Sequence, residues 1–289
     1  MKIHKVGFVG VGNMGNPMAG HLVKAGFDVT VFDIRGEAAQ AFVAQHGGRA
    51  ARSLLEVADG AQAVITMLPN DKAVRKVVLG DGSENCVAAG LAKGAIVIDM
   101  STSDPTGTRG LAEALEQRGI AVIDAPVMGG VVFAKDGTLD IMVGGDAELL
   151  ERCRPLFEAL GRSVIPCGGI GTAHALKALA NYVNACALIN AVEAMTIGMP
   201  VVALATTALP DVIQDGVNGF VSADQETLIE RMKTLIADPA LAREIGERGR
   251  ATARERFHLD RFRTDWDEAL HAAIALRAGA AALSAEVRR

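Results

Sequence analysis

The 289-residue sequence predicts an α/β protein: a doubly wound sheet, then a long linking helix, then a small α/β to helical C-terminal segment. Three observations predict it. Short β-branched runs alternate with amphipathic stretches over the first part of the chain, which is the rhythm of βαβ units. A glycine-rich phrase stands between the first such run and the first amphipathic stretch. Hydrophobic residues make up 50% of the chain, ample for a buried core. At about 100–200 residues per domain, the length fits one large domain or two smaller ones.

Each element follows from its residues. The runs KVGFVG (5–10), DVTVFD (28–33), AVITML (63–68), AIVIDM (95–100) and AVIDAP (121–126) read as buried parallel strands. Between them lie amphipathic helices such as 37–46 and 106–118. GTLDIMVGG (137–145) and SVIPCGG (163–169) extend the sheet, with a helix over 147–160 between them. One long helix is expected from Thr172 to Ile197, with Thr172 as its N-cap. That stretch is apolar nearly all round, which predicts burial. The pattern then changes. PVVAL (200–204) is strand-like, LPDVI (209–213) a short helix, and GFVSAD (219–224) a strand leading into charged amphipathic helices. The final SAEVRR is expected to fray. The expected divisions are a dinucleotide-type domain over 1–168, a linking helix over 169–198 and a C-terminal segment over 199–289.

Composition removes several classes of function. The formal net charge is -5, so no bulk positive charge attracts nucleic acid or an anionic membrane. One Trp and one Tyr leave little for base stacking. Cys86, Cys153, Cys167 and Cys186 lack metal-ligand spacing and read as small buried hydrophobes. His21, His258 and His271 have no ligand partners at useful spacing, so no metal site is expected. The opening MKIHKVGFVGVG is broken by glycines and does not read as a signal peptide. No uninterrupted apolar run approaches about 18–20 residues, so no membrane span is expected. A cytoplasmic protein is expected.

GVGNMG (10–15) is G-x-G-x-x-G placed after a strand and before a helix, with Asp33 closing the second strand. In that context the phrase marks a Rossmann-type dinucleotide site. Gly10 permits the tight turn, Gly12 lets backbone approach a pyrophosphate, and Gly15 lets helix and strand pack closely. The helix start offers N–H groups and a positive dipole end. Asp33 would accept from the ribose hydroxyls and repel a 2′-phosphate, which favours NAD. Arg35 stands close enough to receive such a phosphate, so NADP stays open.

GFVGVGNMGNPMAGHLVKAGFDV resembles the opening of the β-hydroxyacid dehydrogenases, the family typified by 3-hydroxyisobutyrate dehydrogenase and tartronate semialdehyde reductase. The likeness continues through TMLPN, IDMSTSDP, DAPVMGGV, GTLDIMVGGD and GTAHALKALANYVNA. The resemblance implies that Asn13, Met14, Met67, Leu68, Pro69 and Thr102 line the cofactor beside the glycines. It implies that Gly129 and Gly130 offer backbone N–H groups to the substrate carboxylate, with Met128 beside them. Where Met128 stands the family usually has a serine, so a hydroxyl donor is missing. It further implies that Lys177 is the catalytic lysine and Asn181 its neighbour in the substrate site.

The residues around Lys177 are consistent with that role. It falls in the second turn of a helix begun near Thr172, where the dipole disfavours a charged amine. Its neighbours Leu176, Ala178 and Leu179 are apolar. Both effects predict a pKa brought down toward about 7–8, suited to moving a proton. His174, Lys177 and Asn181 share one helix face.

The resemblance stops near Gly198. The family continues into an all-helical second domain; here EAMTIGMPVVALATTALPDVIQDGVNGFVS and LIADPALAREIGERGRATARERF resemble the tail of nucleotide-sugar glycosyltransferases built from two Rossmann-like halves. There Glu193 would match a glutamate that holds the donor ribose. The chain thus reads as a chimera. Three functions follow: an NAD(P)-dependent oxidoreductase acting on a short β-hydroxy acid, a dinucleotide-binding module without turnover, or a glycosyltransferase-related protein. A small hydroxy acid is the expected partner, and a homo-oligomer is compatible with the sequence.

Overall fold

A computed structural model of the chain describes residues 3–206 and 208–286. The chain divides into two compact units, 1–181 and 182–289. Expected fraying of the last residues concerns Val287, Arg288 and Arg289 in part, and these lie outside the described residues.

The first unit runs β1 (Lys5–Val9), α1 (Gly15–Lys24), β2 (Asp28–Phe32), α2 (Gly36–His46), β3 (Arg49–Ala50), α3 (Leu54–Ala58), β4 (Ala63–Thr66), α4 (Asp71–Leu79), α5 (Val87–Gly90), β5 (Ile96–Asp99), α6 (Pro105–Glu116), β6 (Ala121–Asp124), β7 (Val127–Met128), α7 (Gly130–Asp136), β8 (Leu139–Gly144), α8 (Ala147–Leu160), β9 (Gly161–Gly168) and the first part of α9 (Thr172–Thr196). The sheet order is β3-β2-β1-β4-β5-β6-β8-β7, with β9 on β8. From β3 to β6 every pairing is parallel. The strands are buried on both faces because successive side chains alternate between two cores. Val6, Phe8, Ala63, Ile65, Ile96 and Ile98 face one core with Met18, Leu22 and Phe42. Val9, Val64 and Val97 face the other with Val74, Val78, Leu111 and Leu115.

Helix starts are set locally. The side chains of Asn70, Asp104 and Asp146 accept from the first-turn amides of α4, α6 and α8, the usual work of an N-cap. No side chain caps α1, whose N-cap residue is Met14. Its first N–H groups are therefore left for something other than a side chain.

Three points add to or change the sequence reading. First, the sequence left the direction of the far strands open: β8 runs antiparallel to β6 and β7, and β9 then runs parallel to β8. The link from Met128 to Leu139 is shorter than the dozen or so residues that a parallel crossover needs, whereas α8 is long enough to return the chain in parallel. Second, Thr172 does not cap α9. Its hydroxyl donates to the Gly169 carbonyl, while Asp124, at the end of β6, accepts from Gly171 N (2.7 Å) and His174 N (2.9 Å). Third, α9 is not buried all round: Leu176, Leu179, Tyr182, Val183 and Ile189 are exposed. By length and composition α9 could also cross a membrane, which the search for unbroken apolar runs did not register. Lys177 and Glu193 interrupt its apolar character.

The second unit holds the rest of α9, then β10 (Val202–Leu204), α10 (Leu209–Val212), β11 (Phe220–Ser222), α11 (Gln225–Ala237), α12 (Pro239–Phe257) and α13 (Leu259–Glu286). β10 and β11 pair in parallel. Two strands alone are marginal; Ala191, Met195, Leu209, Val212, Ile213 and Ala253 form one core, and Phe220, Leu235 and Ile245 another. The turn into β11 is tied by Asn218, which accepts from Gln214 N and donates to the Val212 carbonyl and the Thr252 hydroxyl.

Candidate active site

The strand order reverses direction at β1, which has β2 on one side and β4 on the other. In open α/β sheets such a switch point leaves a crevice at the carboxyl ends of the strands. A cavity of about 430 Å³ lies there. It gathers Gly10, Gly12, Asn13, Met14, Gly15, Asp33, Met67, Leu68 and Pro69, every cofactor residue singled out from sequence except Thr102. Val9, Phe32, Ile34, Arg35 and Val77 complete the lining; of these only Arg35 was weighed from sequence as a cofactor contact. Ile34 stands 94% exposed on the lip.

The loop geometry explains the glycines. Gly10 has φ +97°, in the left-handed region that glycine adopts without strain. A Cβ at Gly15 would strike the Gly10 carbonyl and the Phe8 ring, whereas one at Gly12 would meet nothing within 4 Å. The crevice is thus open in front of the uncapped start of α1. Asp33 Oδ2 accepts from Val11 N at 3.0 Å and Oδ1 from Arg35 N at 2.9 Å. Arg35 Nε approaches Oδ1 at 3.4 Å. The carboxylate is therefore held by two backbone amides and has lone pairs left over. These features fit a dinucleotide: an open anion-binding helix start at one end and a fixed acceptor at the other.

Thr102 is exposed and does not line this cavity. Its neighbours turn inward instead. Ser101 Oγ accepts from Leu68 N at 2.9 Å, and Ser103 Oγ donates to Asp99 Oδ2 at 2.7 Å. Met128 is half-buried on β7 and pairs with Asp140. Gly129 and Gly130 follow, both exposed, with φ +115° and +73°. None of the three lines the crevice at the switch point.

On α9, His174 is buried, Lys177 half-buried and Asn181 exposed, so the shared face grades from interior to solvent. Burial holds the Lys177 amine below the ordinary lysine value. The carboxylate of Asp124 sits at that helix start and opposes the positive end of the dipole. Leu176 and Leu179, read from sequence as part of a buried surround, are themselves exposed.

Around His174, one turn before Lys177 on α9, lies a buried polar array of which the sequence reading named only His174. Asp99, Ser101, Ser103, Thr108, Asp124 and His174 are all buried. A signal existed: Asp99 and Asp124 each close an otherwise apolar strand, IVID and AVID, and a carboxylate there needs partners. His21 is likewise structural, meeting the Lys135 carbonyl through Nε2 at 2.9 Å.

Comparison with known proteins adds to this geometry. Residues 5–169 match the family described as the NAD binding domain of 6-phosphogluconate dehydrogenase, and residues 188–252 match glycosyl transferases group 1. The chain is 43% identical over 195 residues to the NAD-dependent L-serine dehydrogenase of Pseudomonas aeruginosa, covering 68% of this chain and 64% of that protein. It is 38% identical over 194 residues to the mitochondrial 3-hydroxyisobutyrate dehydrogenase of Mus musculus, covering 67% and 57%. The chain thus spans less than two thirds of these relatives. Among solved structures, the 3-hydroxyisobutyrate dehydrogenase of Mycobacterium tuberculosis with L-serine superposes at TM-score 0.63 and 37% identity, over 68% of this chain and 65% of that one. A putative oxidoreductase from Mycobacterium avium superposes at TM-score 0.64 and 28% identity, over 88% and 95%. Matched over residues 5–169 by a dinucleotide-domain family and over about two thirds of its length by these dehydrogenases, the chain belongs to the β-hydroxyacid dehydrogenase family.

Proposed function

We propose that the protein is a nicotinamide-dependent oxidoreductase that interconverts a short β-hydroxy acid and its carbonyl product, with Lys177 as the acid–base group. The observation that carries this reading is a half-buried lysine whose proton is held loosely, in the same compact unit as a crevice lined by the glycine loop and Asp33. The names of the relatives supply the substrate class, with L-serine and 3-hydroxyisobutyrate as first candidates.

The bound nicotinamide supplies the hydride acceptor or donor. In the oxidative direction the Lys177 amine takes the hydroxyl proton, and in the reductive direction the ammonium returns it. Gly129 and Gly130 hold the substrate carboxylate through backbone N–H groups, and Asn181 orients the hydroxyl or the amine. Asp33 binds the ribose, and its charge favours NAD over NADP. Ile34 and Phe32 offer apolar cover at the lip of the crevice.

A spectrophotometric screen of NAD and NADP against short β-hydroxy acids tests the reading. Lys177→Ala should lower turnover by about a hundredfold or more, with NAD affinity close to that of the parent. A variant that keeps most of its activity removes Lys177 from the mechanism. If NAD binds and no acid is turned over, the chain is a binding module, a reading that the glycosyltransferase-like match over 188–252 keeps in view. Asp33→Ser should narrow or reverse the preference for NAD; equal affinity of the parent for both cofactors counts against the role given to Asp33.

A further inference from the structure

The buried array beneath α9 has a direction. His174 Nε2 lies 3.1 Å from the Ser101 carbonyl. A carbonyl only accepts, so Nε2 carries the hydrogen and donates. Nδ1 lies 2.8 Å from the Thr108 hydroxyl. Asp99 and Asp124 stand 3.8 and 3.9 Å from the two ring nitrogens. Asp99 is itself occupied by Thr66 Oγ1, Ser101 N and Ser103 Oγ. Ser101 also accepts from Leu68 N, and Leu68 lines the crevice. Ser101 therefore joins Leu68, bonded to its hydroxyl, to His174, bonded to its carbonyl, and Lys177 follows one helical turn later.

We propose that His174 is a positioning residue: its buried ring fixes the root of α9 against the Ser101 segment, and so sets where Lys177 stands relative to the Leu68 wall of the crevice. This rests on the reading of Lys177 as the acid–base group. The backbone bonds to Asp124 would hold the start of α9 with any residue at 174, because they use the amides of Gly171 and His174. Only the ring reaches across to Ser101 and Thr108. Without it, the Ser101 carbonyl loses a buried donor and the helix root gains freedom to shift. A displacement of about 1 Å in a reacting group can cost about a hundredfold in rate.

The test compares His174→Ala and His174→Gln in the full chain. A glutamine amide can still donate toward Ser101. The first measurement is the titration of the Lys177 side chain, followed by NMR in lysine-labelled protein and assigned with Lys177→Arg. In the parent it should titrate below the ordinary lysine value of about 10.4. In His174→Ala it should move up toward that value as the amine loses its fixed half-buried place, and in His174→Gln it should return toward the parent. The second measurement is turnover. His174→Ala should lower kcat by about ten- to a hundredfold, shift the lysine limb of the pH profile upward, and leave NAD affinity near the parent's, with His174→Gln recovering most of the loss. A ring that served stability alone would lower the melting temperature and leave both the titration and the pH limb where they were. That result, in a folded His174→Ala, overturns the proposal. If the alanine variant does not fold, Thr108→Val leaves the ring its bond to Ser101 and is read in the same way, with Thr108→Ser, which keeps both the ring contact and the hydroxyl's bond to the Asp104 carbonyl, as its control. Activity surviving in Lys177→Ala, or no turnover in the parent, defeats the catalytic reading instead, and the titration still decides whether His174 positions the lysine.

Discussion

Lys177 ties stability to the proposed function through one buried charge. Burial lowers its proton affinity in the folded chain, so between that lowered value and the ordinary one of about 10.4 the unfolded chain binds more protons. Stability should therefore rise with pH through this window. Lys177→Met removes the buried charge and should unfold at a higher urea concentration than the parent at neutral pH. The gap should close toward about pH 10, and a pH-independent gap would show that burial of the charge is not the cause. His46 titrates in the acid range. Burial, then repulsion from His21, lowers its value, so the folded state gives up stability as pH falls below about 6.5 and the unfolded imidazole protonates first. His21→Gln should raise the His46 value in an NMR titration; no movement would assign the whole shift to burial. Cys153, buried in the core, has its thiol pushed up to about 12, so it should resist alkylating reagents until the chain unfolds.

At the scale of elements, the two ends of the proposed site are set by different means. The start of α1 is prepared by local sequence: Gly10 turns the chain, Gly15 lets it pass the Gly10 carbonyl, and no side chain covers the first turn. Gly15→Ala should cost more stability than the usual surface change of about half a kcal/mol or less and abolish NAD binding, because its Cβ meets backbone rather than a movable side chain. The start of α9 is prepared by a distant strand, through Asp124. Asp124→Asn keeps the shape but loses the charge and one of two acceptors. It should destabilise the fold by about 1.5–3 kcal/mol, the worth of a buried hydrogen bond to a charged group. A change in urea midpoint too small to resolve would mean that water or another group can replace the carboxylate as the cap. The same contrast governs what could be read in advance. The glycine loop was legible because its six residues carry both the turn and the proposed ligand contact. The cap on α9 was misplaced onto Thr172 because Asp124 lies 47 residues before Gly171, and no local pattern announces that meeting.

On the scale of the whole chain, each unit has its own cores. Heating should therefore give two transitions, and NAD should raise only the one belonging to residues 1–181. At about a hundred times Kd the stabilisation is about 2.7 kcal/mol. A single transition moved as one by NAD would show the units melting together. Sequence by itself determined the βαβ rhythm, the dinucleotide loop, the acidic end of β2 and the break in pattern after α9, because each is written in residues close together along the chain. Tertiary structure decided the rest. It turned β8 antiparallel, left much of α9 exposed, gave Asp124 the cap, and placed His174 between Ser101 and Thr108. These outcomes depend on groups up to 73 residues apart, and what buries or partners such a group is settled only when the sheet has formed around it.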